Sequence, residues 1–143
     1  MTKIIKVVGR QVFDSRGNPT VEAEVYLSDK TKASAIVPSG ASTGAFEAFE
    51  LRDGNKNYFL GKSVLKAVKN INTVINKNLK NIKASDQNKI DKILLKLDGT
   101  DNKKRLGANA LLAASLASSK ASARSKKKNY TNTLEKNFYF QSH

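Results

Sequence analysis

The hydrophobic period changes once along this chain, and that change limits the fold more than any other feature. Residues 20–28 alternate: Val21, Ala23, Val25 and Leu27 fall on one side, Glu22, Glu24 and Tyr26 on the other. A period of two is that of a half-buried strand. From Ser63 onward the apolar positions are Val64, Leu65, Val68, Ile71, Val74, Ile75 and Leu79. Spacings of three and four give an amphipathic helix with lysines on its wet face. Two more strands flank the alternating one. Residues 3–14 carry Ile4, Ile5, Val7, Val8, Val12 and Phe13, and residues 31–37 end in Ala35-Ile36-Val37. The turn Asp14-Ser15-Arg16-Gly17-Asn18-Pro19 and the short Ser28-Asp29-Lys30 connect them. Such short connections favour an antiparallel meander. A second helix is expected over about Asp86 to Leu97, with Ile90, Ile93, Leu94 and Leu97 inward, Ser85 as N-cap and Gly99 near the C-cap. A third begins near Asn102 to Leu106 and is rich in alanine, which allows close packing. The fold class is therefore α+β: a three-stranded antiparallel meander followed by three to four helices.

Between strands and helices lies Pro38-Ser39-Gly40-Ala41-Ser42-Thr43-Gly44-Ala45, a small, polar, glycine-bearing run that reads as a mobile loop. An acidic and aromatic patch follows it: Phe46, Glu47, Phe49, Glu50, Arg52 and Asp53. After Lys120 the apolar pattern fades. The expected organisation is one domain over residues 1–123 and a basic, disordered tail over 124–143, on which Phe138, Tyr139 and Phe140 would be exposed.

A chain of 143 residues suits one domain with a real core. It has no cysteine, which excludes disulfides and thiolate metal sites and fits a reducing compartment. Met1 to Lys6 has no long apolar run, so no signal peptide is expected, and no run reaches the ~18 apolar residues a membrane helix needs; the expected location is the cytoplasm. The formal charge is +14, with 21 Lys among 26 basic residues. Lysine scattered along the chain reads first as a solvated surface, because arginine is the residue suited to bidentate phosphate and guanine contacts. Nucleic-acid binding is not the expected main role.

Three stretches are more specific. Asp14 to Glu22, Pro38 to Gly44 with Glu47, Glu50, Leu51, Arg52 and Asp53, and Leu97-Asp98-Gly99-Thr100 with Asn102-Lys103 and Leu106-Gly107-Ala108-Asn109-Ala110 occur in this order. Over residues 3 to about 123 the chain resembles the N-terminal domain of enolases (phosphopyruvate hydratases). That resemblance implies a glycolytic lyase that converts 2-phosphoglycerate to phosphoenolpyruvate by proton abstraction next to a carboxylate, with two Mg²⁺ ions stabilising the ene-diolate. It implies that Ser39, Gly40, Ala41, Ser42, Thr43 and Gly44 form a loop closing over substrate. It makes Ser42 a ligand of the second Mg²⁺, through hydroxyl and backbone oxygen, only when barrel and substrate are present. Arg10 and Glu22 would lie at a homodimer contact, paired with charges of the partner subunit, while Arg16 braces the hairpin.

The same resemblance places every catalytic residue in a C-terminal barrel, which takes roughly 250 residues. None of those residues is expected in this chain, whose only histidine is His143. The fragment alone is expected to be inactive and not to bind Mg²⁺, and the face that packs on a barrel would be an apolar patch favouring self-association. Two other readings stay open: a non-catalytic remnant whose basic surface binds nucleic acid or another polyanion, and a designed or truncated chain with no biological role.

Overall fold

The computed structural model describes residues 1–37 and 49–142, except for the side chains of 137–142. Strands β1 (Ile4–Phe13), β2 (Pro19–Leu27) and β3 (Lys32–Ile36) form an antiparallel sheet in the order β1-β2-β3. Val21, Ala23, Val25 and Leu27 are all buried, as the alternation requires. The first strand departs from its reading. Its register shifts between Ile4 and Lys6, so Ile4 and Val7 both face the core while Ile5 is half exposed. A bulge of this kind re-aims side chains, and hydrophobicity alone does not place it. The β1–β2 turn is braced by Asp14 rather than by the Arg16 side chain. The Asp14 carboxylate accepts from the backbone N–H of Arg16 and of Asn18, each at 2.9 Å.

Helices cover one face of the sheet. A continuous helical run holds α1 (Leu65–Asn70), a π-helical segment (Ile71–Ile75) and α2 (Asn76–Leu79). Then come α3 (Gln87–Asp98) and α4 (Ala108–Ser142). Ile71, Ile75 and Leu79 from the first run, Ile90 and Leu94 from α3, and Leu111 from α4 are fully buried with the strand residues. Each such side chain contributes about 1.5–3 kcal/mol by leaving water. Ala110, Ala113, Ala114, Ala117 and Ala121 form the buried stripe of α4, and their small size lets the helix lie close on the sheet. Helix α3 is capped by Asp86, whose carboxylate accepts from Lys89 N–H at 3.2 Å; the expected cap, Ser85, lies one residue too early. Gly99 closes α3 in the left-handed conformation.

The free edge of β1 is sealed by side chains instead of a fourth strand. Asn72 accepts from Gly9 N–H at 2.8 Å and donates to the Gly9 carbonyl at 3.1 Å, and Asn76 accepts from Val7 N–H at 2.9 Å. Residues 81–84 continue the seal, through Ile4 N–H to the Ile82 carbonyl and Asn81 N–H to the Ile4 carbonyl. This removes donors that would otherwise template aggregation. It also demands close approach: a Cβ on Gly9 would stand 2.8 Å from Ile71 Cβ and 3.1 Å from the Val68 carbonyl oxygen. Gly9→Ala should therefore lower stability by about 1–3 kcal/mol, read as a drop in the urea midpoint with an unchanged slope. An unchanged midpoint would mean that the helix recedes from β1 without loss.

The C-terminal stretch corrects the sequence reading. Residues 124–142 are not an unstructured tail but the continuation of α4. Three contacts fix its course against the β2–β3 turn. Ser125 donates to the Asp29 carboxylate at 2.5 Å, Arg124 donates to the Lys32 carbonyl at 2.5 Å, and Lys128 donates to the Asp29 carbonyl at 2.9 Å. Burial would raise the Asp29 pKa, but hydrogen bonds from the Ser125 hydroxyl and from Thr31, with a smaller contribution from the Lys128 cation, hold the carboxyl below its usual range. The expectation of solvation holds for residues 126–136, which are all exposed. The described chain contains no helix long and apolar enough to cross a membrane.

Candidate substrate-loop site

Residues 38–48 lie outside the described residues, and with them Ser39, Gly40, Ala41, Ser42, Thr43, Gly44 and Glu47. What the structure defines is the pair of stems that carry this segment. The first stem leaves β3 at Val37, whose N–H donates to the Val21 carbonyl at 3.0 Å, and the Thr20 hydroxyl bonds the Val37 carbonyl. The segment is thus tethered to the middle strand of the sheet up to its first residue.

The second stem is held more elaborately. Phe49 N–H donates to the Asn102 carbonyl at 3.0 Å, and Ala108 N–H donates to the Phe49 carbonyl at 2.7 Å. Two residues on, Asn109 grips Leu51 from both sides, accepting from its N–H at 3.0 Å and donating to its carbonyl at 3.1 Å. Asn109 sits in the first turn of α4 and is only 5% exposed, so the stem is clamped at the helix N-terminus. Gly107 makes this clamp possible. It has φ +94°, and a Cβ there would meet Leu51 Cβ at 2.5 Å.

Behind the clamp stands Asp98, 1% exposed at the end of α3. It accepts from Leu106 N–H at 2.7 Å, from Thr100 N–H at 3.0 Å and from the Thr100 hydroxyl. Burial alone would raise its pKa. Hydrogen bonds from the Thr100 side chain and from the N–H groups of Leu106, Thr100 and Gly107 outweigh that and hold it below the usual carboxylate value. Asp98 thereby fixes the 99–107 connection that presents Gly107 and Asn109 to Leu51.

The charged residues following the loop have structural partners. Arg52 donates to the carbonyls of Pro19 at 3.0 Å and Lys62 at 2.6 Å, and pairs with Glu50 at 3.2 Å. Asp53 accepts from the N–H groups of Leu65 at 3.0 Å and Lys66 at 2.9 Å, capping α1 from a distance. Residues 49–55 are not helical, and Asp53 supplies the oxygens that the start of α1 lacks. Among the described residues no three His, Cys, Asp or Glu side chains stand together as a metal site. With Glu50 and Asp53 so engaged, the described residues do not fit a magnesium site by themselves. Beside Asp53 opens a shallow, mainly apolar cleft of about 480 Å³ lined by Gln11, Tyr58, Phe59, Leu65 and Lys66. Phe13 and Phe59 meet beside it in a tilted contact with ring centres 5.1 Å apart, both half exposed, and Leu60 is 82% exposed.

Arg10 and Glu22 lie together on the outer sheet face. Strand register sets them opposite one another, and Arg10 pairs with Glu22 at 3.2 Å and with Glu24 at 2.9 Å. Tyr26 donates to the same Glu24 at 2.5 Å. The Tyr26 hydroxyl and then Arg10 hold Glu24 below its usual pKa, while the bond to Glu24 raises that of Arg10. The sequence reading paired Arg10 and Glu22 with charges of another subunit; within this chain they pair across β1 and β2. With Arg10 about two-fifths exposed, such pairs contribute at most about 1 kcal/mol.

Asn72, Asn76, Asn109 and Asp98 were given no role from sequence. For the first two a signal exists. They lie four apart, each directly after a fully buried isoleucine, which puts carboxamides at the border of the apolar face. A family model described as the enolase N-terminal domain matches residues 4–134.

Proposed function

The chain belongs to the enolase N-terminal-domain family, and from that premise we propose that it is the lid domain of an enolase, a cytoplasmic phosphopyruvate hydratase of glycolysis. In this reading residues 39–44 close over 2-phosphoglycerate or phosphoenolpyruvate on a barrel domain. The domain contributes binding and exclusion of water, not the acid or base. The observation that carries the reading is the double anchoring of the loop. One stem is bonded to the sheet at Val37, and the other is clamped at Leu51 by Asn109. A loop with both ends fixed on rigid elements can close along one path and return, which a substrate lid requires.

Mg²⁺ belongs to the whole enzyme in this proposal. Ser42 is this chain's candidate ligand, and the remaining oxygens come from the barrel and the substrate. Homodimerisation through the face bearing Arg10 and Glu22 is part of the same proposal, with Glu24 and Tyr26 as further members of that charged patch.

The test is a chimera in which residues 1–134 replace the corresponding domain of an active enolase. The expected result is turnover of 2-phosphoglycerate that falls by about 10²-fold on Ser42→Ala, a loss typical of removing one positioning group near the reacting centre. A chimera that folds, binds substrate and is indifferent to Ser42→Ala would contradict the role given to the loop.

A further inference from the structure

The charge of the chain is unevenly placed. From Asn102 to Leu134 there are eight cations, Lys103, Lys104, Arg105, Lys120, Arg124, Lys126, Lys127 and Lys128, and no acid. Several of the acids elsewhere are committed to the fold: Asp53 and Asp86 cap helices, Asp98 is buried, and Glu22 and Glu24 hold Arg10. Lys126, Lys127 and Lys128 make no ion pair among the described residues. Arg124 donates to the neutral Lys32 carbonyl, so its charge is positioned but not neutralised, whereas Lys128, which donates to the Asp29 carbonyl, is partly offset by the Asp29 carboxylate. The same contacts bring the exposed Lys30 and Lys32 of the β2–β3 turn beside them.

At the root of this stretch is a groove of about 240 Å³ between α4 and the 83–85 segment. Lys83 and Lys126 line it together with the hydroxyl-bearing Ser85 and Ser122 and the amide of Asn129, donors suited to a phosphate. One turn further on, Tyr130 is 66% exposed, a free aromatic face next to the lysines. Among the described side chains, the exposed turns after Lys120 offer only Tyr130 and Leu134 as large apolar groups, too few for the continuous apolar face that insertion into a lipid surface needs.

We propose that the outward face of α4 from Lys120 to Tyr130, with the Lys83–Lys126 groove, binds single-stranded nucleic acid. Phosphates engage Lys83, Lys120, Arg124 and Lys126 to Lys128, one of them in the groove, and a base stacks on Tyr130. Lysine-based contacts to phosphate carry no sequence information, so binding is indifferent to sequence. This surface uses none of residues 38–48, and its test is independent of the lid reading.

The experiment is fluorescence anisotropy of a labelled, mixed-sequence single-stranded DNA with the full chain, across a salt series. Removing three phosphate contacts with the triple variant Lys126→Gln, Lys127→Gln and Lys128→Gln should flatten the log–log salt slope by about 2 and weaken binding at least tenfold at ~50 mM salt. Circular dichroism confirms that the variant keeps its helices. The matched control Lys66→Gln, Lys69→Gln and Lys77→Gln, which removes the same charge from an exposed helix elsewhere, should leave the slope near that of the parent. Equal effects of the two triple variants would overturn the proposal in favour of diffuse charge. So would absence of binding at low salt, equally effective competition by polyglutamate, or tighter binding to anionic vesicles.

Discussion

Gly107→Ala should destabilise the domain by about 3–5 kcal/mol, combining left-handed strain with overpacking. The added Cβ would lie 2.5 Å from Leu51 Cβ and 2.6 Å from Asn109 Oδ1. It would also hold an L side chain at φ +94°. The two obstacles have different remedies, and neither is available. Leu51 cannot recede while Asn109 bonds both its N–H and its carbonyl, and Asn109 cannot turn without releasing Leu51. Gly54→Ala is the internal control: φ there is +77°, but nothing stands within 4 Å. Only the strain of about 1–2 kcal/mol should appear at that position. Denaturant midpoints measured side by side separate the two contributions. Losses of equal size would mean that the clamp at Leu51 yields freely.

The second large effect is expected at Asp98. Asp98→Asn replaces an acceptor oxygen with an amide that points a donor at a donor, either Leu106 N–H or the Thr100 pair. The loss at neutral pH should be about 2–3 kcal/mol. Its pH dependence has a definite sign. The folded pKa lies below the unfolded one, so the charged carboxylate contributes its full stability above the unfolded pKa of about 4 and loses it as pH falls through the folded value. The parent and Asp98→Asn should therefore differ most near pH 7 and converge as the solution is acidified below about pH 4. A gap that stays constant down to pH 2 would show that the hydrogen bonds do not depend on the carboxylate's charge. Both substitutions act on one assembly, the 98–109 connection that grips Leu51, and both should loosen the second stem of the 38–48 segment.

The layout of the fold was largely legible because burial on one face leaves a periodic record. The alternation through Val21, Ala23, Val25 and Leu27 located β2, and the three-and-four spacing from Val64 to Leu79 located the first helical run. The same record hid what is not periodic. A bulge between Ile4 and Lys6 turns Ile5 outward although it is as apolar as Ile4. The π-helical turn Ile71–Ile75 keeps its isoleucines buried, so its extra residue leaves the hydrophobic pattern intact. The distal half of α4 has a solvated surface and so reads as a tail in the sequence. Its helical course is tied to single polar contacts from Arg124, Ser125 and Lys128 to a turn ninety or more residues earlier, which no local pattern records.

For the site, sequence marked the loop as a motif, while the devices that hold it are long-range. Asn109 and Leu51 are 58 residues apart, and Arg52 reaches the Pro19 carbonyl 33 residues away. The pairing of Arg10 with Glu22 was within reach, since closing the turn at residues 14–18 sets those two positions opposite each other. The family resemblance alone points both charges toward another subunit instead.

The most direct measurement is 2-phosphoglycerate dehydration with excess Mg²⁺, followed by phosphoenolpyruvate absorbance, first with the purified chain alone and then with an enolase barrel domain added in trans. The account predicts no turnover from the chain by itself and turnover that rises as the chain is titrated into the barrel. Turnover by the chain alone that persists through purification and is abolished by Ser42→Ala would contradict it, because the acid and base would then have to lie within these 143 residues.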